Sequence, residues 1–274
     1  MYLEFYGLTE KPFHVTSDPS FLFPSKSHRE ALNHLRYGIR ERLGFISISG
    51  EVGTGKTTLA KQLVAELKDE TRTALILHPG LSPTQLLRHL LIDFGAQVTG
   101  PVTRGHLLRM VEVFLLEQAA QKRTAVLILD EAQAFPLSSL EQLRLLSNIE
   151  TAKEKLLQIV LIGQPELEER LSDHRLRNLS QRIAVRCIID PLEADEVGPY
   201  IAHRLKLAGL QTPSIFTQSA IRRIAERSSG LPRKINTLCD QALLAGYVRE
   251  ARQIDEAIIE EALNLVQPEP VGVV

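Results

Sequence analysis

The first 190 residues alternate between short apolar runs and longer segments in which apolar residues recur every three or four positions. The runs predict buried β-strands, and the periodic segments predict amphipathic helices. Short, fully apolar strands that alternate with helices are typical of a parallel sheet covered on both faces. The pattern therefore predicts a doubly wound α/β domain with a parallel five-stranded sheet. The strand predictions are residues 45–49, 73–78, 125–132, 156–166 and 184–190, and the helix predictions among them are 27–43, 59–67, 82–94, 106–121 and 137–150.

The pattern changes after Pro191, where strand-like runs stop and only helical spacing continues. We therefore place a domain boundary near residues 190–192, with an α/β domain over 1–190, an all-helical domain over 191–267 and a tail or linker over 268–274. Residues 1–24 are rich in aromatic, proline and turn-forming residues, and we expect irregular structure packed on the first domain. Ser27 is the candidate N-cap of the first long helix.

Composition narrows the class of protein only slightly. A chain of 274 residues with 44% hydrophobic content can bury a sizeable core. The formal net charge of -1 gives no global basic excess that would indicate nucleic acid, although a local patch could be hidden in this average. Cys187 and Cys239 lie far apart without metal-ligand neighbours, which indicates a reducing compartment. The apolar runs are too short to span a bilayer, so we expect a cytoplasmic chain without a membrane span.

One glycine-rich loop carries a strong chemical signal. The segment GEVGTGKTT, residues 50–58, fits the pattern G-x-x-x-x-G-K-[ST] and lies between a predicted strand and a predicted helix. Glycines allow consecutive backbone N–H groups to converge on phosphate oxygens at a helix N-terminus. Lys56 would reach the β- and γ-phosphates, and the Thr57 hydroxyl would bind Mg²⁺. The alternative is a glycine-rich turn with a surface lysine. The predicted nucleotide-binding residues are Gly50, Glu51, Val52, Gly53, Thr54, Gly55, Lys56, Thr57 and Thr58.

Polar side chains end two later strands. Asp130 and Glu131 follow the strand VLIL, at the strand end where ligands bind in open α/β sheets. Asp130 would hold Mg²⁺ together with Thr57, and Glu131 would polarise an attacking water as general base. The alternative is an acidic N-cap of the next helix. Gln164 ends the next strand and would emerge beside Asp130 if the two strands are neighbours; it would orient water and sense the γ-phosphate, or simply bond a turn.

Together these segments resemble an AAA+ ATPase. GEVGTGKTT matches Walker A, DEA matches Walker B, and GLPRKIN opens a late helix. More narrowly, FYGLTEKPFHVTSDPSFLF, DEAQ, LIGQPEL, RLKLAG and SSGLPRKINTLCDQALL resemble the ExeA/GspA family of bacterial ATPases, which are tied to secretin assembly and type II secretion. The resemblance covers most of the chain. It implies a P-loop αβα domain followed by an all-helical AAA+ lid, with ATP and Mg²⁺ as cofactors.

The resemblance also implies roles for several other residues. Arg233, in GLPR, matches the sensor 2 arginine that reaches the γ-phosphate. Arg182, in LSQRI, resembles the arginine finger that a neighbouring subunit inserts, although Arg175 and Arg177 lie in the same basic segment. A solvated basic helix remains the alternative for these arginines. The segment from His14 to Phe23 would line the adenine pocket, or serve packing alone.

The resemblance implies a function at the bacterial envelope. We expect a homo-oligomeric, Mg²⁺-dependent ATPase that hydrolyses ATP at subunit interfaces and drives or regulates assembly of a secretion or pilus-type system. It would act in the cytoplasm, at the inner face of the inner membrane, with inner-membrane partners. A membrane span and a peptidoglycan-binding domain often follow the ATPase part in this family, so the sequence is either a piece of a longer protein or a short member. Two alternatives are a DNA-linked regulator of transposition, for which no DNA-reading motif is visible, and an ATP-gated scaffold with little turnover.

Overall fold

The computed structural model describes residues 2–67, 71–152, 154–211 and 214–266. The chain divides into two compact units. The sheet unit comprises Lys26–Val52 and Lys56–Ile189, and the helical unit comprises Met1–Ser25, Gly53–Gly55 and Asp190–Val274. The expected tail at 268–274 lies outside the described residues.

The sheet unit is built on five parallel strands in the order β2-β3-β4-β1-β5, which confirms the predicted parallel sheet. Every residue of β1 and β4 is buried, whereas β5 lies at the edge of the sheet and exposes alternate residues. Because β4 pairs with both β3 and β1, the loops that follow these three strands lie at one edge of the sheet. The strands are β1 (Phe45–Gly50), β2 (Thr71–Ile76), β3 (Thr124–Leu129), β4 (Leu157–Gly163) and β5 (Ile183–Ile189).

Helices cover the sheet, and their apolar faces complete its core. One cluster joins alternate residues of β2, β3 and β4 to leucines of the helices over residues 83–146. The first long helix packs closely on β1, since a Cβ at Gly38 would lie 2.5 Å from Cδ1 of Ile46. The helices of this unit are α2 (Lys26–Arg40), α3 (Lys56–Glu66), α4 (Pro83–Asp93), α5 (Arg104–Ala120), α6 (Leu137–Leu146), α7 (Glu166–Leu171) and α8 (Arg177–Ser180).

The predicted N-cap at Ser27 is wrong. Helix α2 begins one residue earlier, at Lys26, so Ser27 lies inside its first turn. Its hydroxyl instead donates to the backbone carbonyl of Ile188 at 3.3 Å. The side chain therefore ties the start of α2 to the edge strand β5.

The helical unit contains five helices among its described residues, with their own apolar core. Residues 2–25 belong to this unit, although the sequence pattern predicts them in the α/β domain. They are also less irregular than expected, because residues 2–6 are helical and residues 19–21 form a 3-10 turn. The helices are α1 (Tyr2–Tyr6), α9 (Ala194–Leu207), α10 (Gln218–Ser228), α11 (Pro232–Val248) and α12 (Glu256–Val266).

A buried arginine holds the N-terminal segment inside this unit. Arg204, on α9, is only 6% exposed. Its guanidinium donates to the backbone carbonyls of Pro12 at 2.5 Å and His14 at 3.1 Å, and it stacks over the Phe21 ring at 4.9 Å. Among the described residues no carboxylate lies within ion-pair distance of Arg204. Carbonyl oxygens and aromatic faces therefore compensate the buried charge.

Candidate functional site

The loop between β1 and α3 curls around the lysine that follows it. Gly53 and Gly55 adopt φ angles of +85° and +99°, which other residues rarely adopt. Lys56 begins α3 and is only 6% exposed, and its Nζ donates to the backbone carbonyls of Gly50 at 2.7 Å and Glu51 at 2.8 Å. The ammonium group is thus fixed inside the loop at the N-terminus of a helix, where anions bind favourably. Thr54 is fully buried, Thr57 and Thr58 are half-buried, and Val52 is exposed at the loop tip.

Thr57 and Asp130 form the second part of the site. The Thr57 hydroxyl donates to Oδ2 of Asp130 at 2.5 Å, and the backbone N–H of Glu131 donates to Oδ1 at 3.0 Å. Asp130 is 3% exposed, so burial raises its pKa, while the hydrogen bond from Thr57 opposes the rise. A hydroxyl and a carboxylate are oxygen ligands of the kind that Mg²⁺ prefers. These donors therefore fit the predicted magnesium site.

Glu131 adopts an unusual backbone conformation at the end of β3. Its φ and ψ angles of 52° and 41° lie in the left-handed region, which a glutamate rarely occupies. One carboxylate oxygen, Oε2, accepts hydrogen bonds from Nε2 of Gln133 at 2.6 Å and from Nε2 of Gln164 at 2.9 Å. Strands β3 and β4 are indeed neighbours, but the Gln164 side chain binds Glu131 and not Asp130. Gln133, the last residue of the motif DEAQ, was not among the predicted site residues.

The three candidate finger arginines have different surroundings. Arg182 is half-buried, and its Nη1 donates to Oγ of Ser147 and Oδ1 of Asn148, both at 2.6 Å, at the C-terminal end of α6. Arg175 is exposed and forms an ion pair with Asp173. The exposed Arg177 side chain forms no hydrogen bond or ion pair with any residue that the structure describes.

Arg233 lies in the helical unit, in the first turn of α11 directly after Pro232. Its side chain is exposed, and its backbone N–H donates to the carbonyl of Gly53, which belongs to the same unit, at 3.2 Å. A Cβ on Gly53 would lie 2.6 Å from Cβ of Arg233, so only glycine fits there.

The structure therefore brings five of the predicted site residues to one edge of the sheet. These residues come from the first turn of α3 and from the ends of β3 and β4: Lys56, Thr57, Asp130, Glu131 and Gln164. The segment from His14 to Phe23 lies in the helical unit, where the His14 and Phe21 rings meet edge to face at 4.6 Å.

Comparison with known proteins identifies the class of protein. A model of the AAA domain matches residues 39–171. The structure of Cdc6p from Pyrobaculum aerophilum is similar with a TM-score of 0.68 at 16% identity, over 91% of this chain and 71% of that one. The Thermotoga maritima RuvB Holliday junction branch migration motor has a TM-score of 0.56 at 19% identity, over 87% of this chain and 68% of that one. The chain therefore contains an AAA domain and has the fold of AAA+ P-loop proteins.

A closer relative confirms the narrower resemblance. General secretion pathway protein A of Aeromonas hydrophila is 42% identical over 254 residues, which are 93% of this chain and 46% of that protein. An uncharacterized HTH-type transcriptional regulator of Methanocaldococcus jannaschii is 27% identical over 175 residues, which are 63% of this chain and 42% of that protein. The chain thus spans less than half the length of both relatives. Among its described residues, no helix combines the length and the apolar character needed to cross a membrane.

Proposed function

We propose that this chain is a Mg²⁺-dependent ATPase that hydrolyses ATP at subunit interfaces and drives or regulates assembly of a bacterial secretion or pilus-type envelope system. The observation that carries the ATPase proposal is the contact between the Thr57 hydroxyl and the Asp130 carboxylate, 2.5 Å long, beside a loop that encloses Lys56. A merely structural turn would not need a buried lysine and a buried carboxylate at the same sheet edge, because burying either charge is costly.

In this proposal the residues of the sheet unit bind the phosphates, hold Mg²⁺ and activate the attacking water. The backbone N–H groups of residues 50–58 and the ammonium of Lys56 bind the phosphates. Thr57 and Asp130 hold Mg²⁺, which when bound neutralises charge that develops on the phosphoryl oxygens. Glu131 accepts a proton from the attacking water, and Gln164 orients that water and contacts the γ-phosphate. Glu131 and Gln164 already contact each other, which supports a shared task.

Arginines from two other segments would complete the reaction. Arg233 would reach the γ-phosphate in the same subunit, and its place in the first turn of a helix after Pro232 supports a defined direction. The finger supplied to a neighbouring subunit must extend from the surface. The contacts favour Arg177 over Arg182 for that role, because Arg182 binds the end of α6 in its own chain.

The envelope role rests on the relationship to general secretion pathway protein A. On this basis we propose that the chain acts in the cytoplasm, at the inner face of the inner membrane, as a homo-oligomer with secretion-system partners.

Phosphate release tests the proposal directly. Turnover should require both ATP and Mg²⁺, and activity per chain should rise with protein concentration because the active site is completed between subunits. Flat activity per chain through the assembly range would contradict hydrolysis at subunit interfaces. Duplex DNA added to the assay should leave the rate unchanged; a strong, salt-dependent stimulation would favour the DNA-linked alternative.

A further inference from the structure

The side chain of Gln133 links the ends of two neighbouring strands. Its Nε2 donates to Oε2 of Glu131 at 2.6 Å, and its Oε1 accepts from the backbone N–H of Gln164 at 3.1 Å. The orientation of the amide follows from these partners. A backbone N–H can only donate and a carboxylate can only accept, so Oε1 must face Gln164 and Nε2 must face Glu131.

The surroundings of Gln133 restrict its movement. Its backbone carbonyl accepts a hydrogen bond from Nη1 of Arg170. A Cβ added at Gly163 would lie 2.6 Å from Oε1 of Gln133, so the close approach of the amide to β4 requires glycine at that position. Hydrogen bonds therefore hold Gln133 in place through both its backbone carbonyl and its side-chain amide.

The hydrogen bonds to Glu131 are unequal between its two oxygens. Oε2 accepts from both Gln133 and Gln164, while Oε1 receives no hydrogen bond from any residue that the structure describes. Two donors on one oxygen fix the plane of the carboxylate and direct the other oxygen away from the amides. A general base needs one such oriented, available oxygen.

We propose that Gln133 is a positioning residue for ATP hydrolysis: it holds the Glu131 carboxylate so that Oε1 is available to the attacking water. The inference rests on the proposed role of Glu131 as general base. In this role Gln133 acts through Glu131 and needs no contact with ATP or with the water. Its hydrogen bond to the Glu131 side chain also offsets part of the energy cost of the left-handed backbone at Glu131.

Two substitutions at Gln133 distinguish the effect of its Nε2 donor from the effect of its Oε1 acceptor. Gln133→Glu keeps an oxygen acceptor for the Gln164 N–H but replaces the donor to Glu131 with a second carboxylate. Gln133→Ala removes both contacts. We expect kcat for ATP to fall roughly tenfold to a hundredfold in both variants, within the range for general-base catalysis, while KM and ATP affinity change less than about twofold. Gln121→Ala, at an exposed glutamine after α5, is the matched control and should keep the wild-type kcat.

The split between kcat and KM distinguishes positioning from a packing role. A loss of packing would weaken ATP binding or lower Tm together with kcat, whereas a loss of positioning lowers kcat alone. A loss of ATP affinity as large as the loss of kcat would therefore overturn the proposal.

Double substitution with Glu131→Gln separates failure of this proposal from failure of the proposed function. If Gln133 acts through Glu131, adding Gln133→Ala to Glu131→Gln should lower turnover by no more than about twofold, because coupled residues are not additive.

A fast Glu131→Gln enzyme would refute the role of Glu131 itself. A slow Glu131→Gln enzyme together with a wild-type rate in Gln133→Ala and Gln133→Glu would refute only the role of Gln133. If Gln133→Ala does not fold, Gln133→Glu alone decides, and loss of its ATP binding would also count against the proposal.

Discussion

The hydroxyl of Thr57 donates to the carboxylate of Asp130, which joins the first turn of α3 to the end of β3. This contact holds a carboxylate in a buried position although burial opposes its charge. The buried carboxylate therefore costs the folded protein stability, a cost that the proposed role in binding Mg²⁺ would explain.

Asp130→Asn should stabilise the protein without ligand and abolish Mg²⁺-dependent turnover. Burial raises the pKa of Asp130 above its ordinary value of 3.8, so the charged form destabilises the folded state at neutral pH. Removing this penalty should raise Tm by a few degrees. The gain should be complete at pH 7 and should shrink as the pH falls through the folded pKa, because the wild-type carboxyl then becomes neutral as well. A thermal scan of both proteins at several pH values measures this difference.

Lys56→Ala should abolish or nearly abolish nucleotide binding, because Lys56 places a buried ammonium group inside the loop. Titration with a fluorescent ATP analogue measures the affinity. Lys61→Ala, farther along the same helix, is the control and should bind as the wild type does. Unchanged ATP affinity in Lys56→Ala would contradict the assignment of the loop to phosphate binding.

Glu131→Gln should keep ATP bound while it slows hydrolysis by about two orders of magnitude, the usual scale for loss of a general base. Glutamine has the size of glutamate but cannot accept the proton. Measuring ATP affinity and single-turnover phosphate release on one preparation separates the two effects. Hydrolysis at the wild-type rate would assign the base to another residue.

Arg177→Ala and Arg182→Ala should differ in stability. Arg177 has no side-chain partner in the described part of its own chain, so Arg177→Ala should retain Tm and ATP binding but lose turnover by roughly 10³-fold or more if it is the finger. Arg182→Ala should lower Tm, because it removes the hydrogen bonds to Ser147 and Asn148.

Mixing variants tests whether the finger acts between subunits. In an equal mixture of Arg177→Ala and Glu131→Gln, about a quarter of the interfaces would combine an intact base with an intact finger. Partial recovery of activity is expected. If Arg177→Ala is active and Arg182→Ala or Arg175→Ala is inactive, the finger is a different arginine; if all three are active, the trans mechanism fails.

Gly230→Ala should severely destabilise the helical unit. Gly230 has a φ angle of +70°, and an added Cβ would lie 2.1 Å from the backbone carbonyl oxygen of Leu192. We expect a loss of roughly 3 kcal/mol or more in the free energy of unfolding, since both strain and a backbone clash are introduced. Ser229→Gly is the matched contrast: Ser229 has a φ angle of +52° and is exposed, so glycine there should stabilise by about 1 kcal/mol. Chemical denaturation of both variants provides the comparison.

The apolar runs were sufficient to predict the five strands. The three central strands are buried and contain few polar residues, and the edge strands β2 and β5 still contain the apolar segments ALI and CII. The order of the strands was not contained in those runs. It depends on which connections pass over the sheet, and it is this order that brings Gln164 to Glu131. The role of Gln133 was not predictable for the same reason, since its amide binds residues of two different strands.

Arg204 illustrates a second limit of sequence-based prediction. A charged residue in a helical pattern is ordinarily assigned to solvent. Here the carbonyl oxygens of Pro12 and His14, far away in the sequence, replace water around the guanidinium. The sequence shows that Arg204 opens the motif RLKLAG, but it does not show these partners. The membership of residues 2–25 in the helical unit escaped prediction for the same reason.

The contacts of Arg204 also determine the order in which the chain can fold during synthesis. Arg204 follows Pro12 by 192 residues, and Arg252 follows Phe5, to whose carbonyl it donates, by 247. At about 5–20 residues per second, the ribosome needs roughly 10–40 s to add those 192 residues. During this interval the whole sheet unit is synthesised, while Pro12 and His14 still lack the guanidinium of Arg204. Residues 5–14 are therefore made long before their partners and cannot form these contacts until residues 204 and 252 have been added.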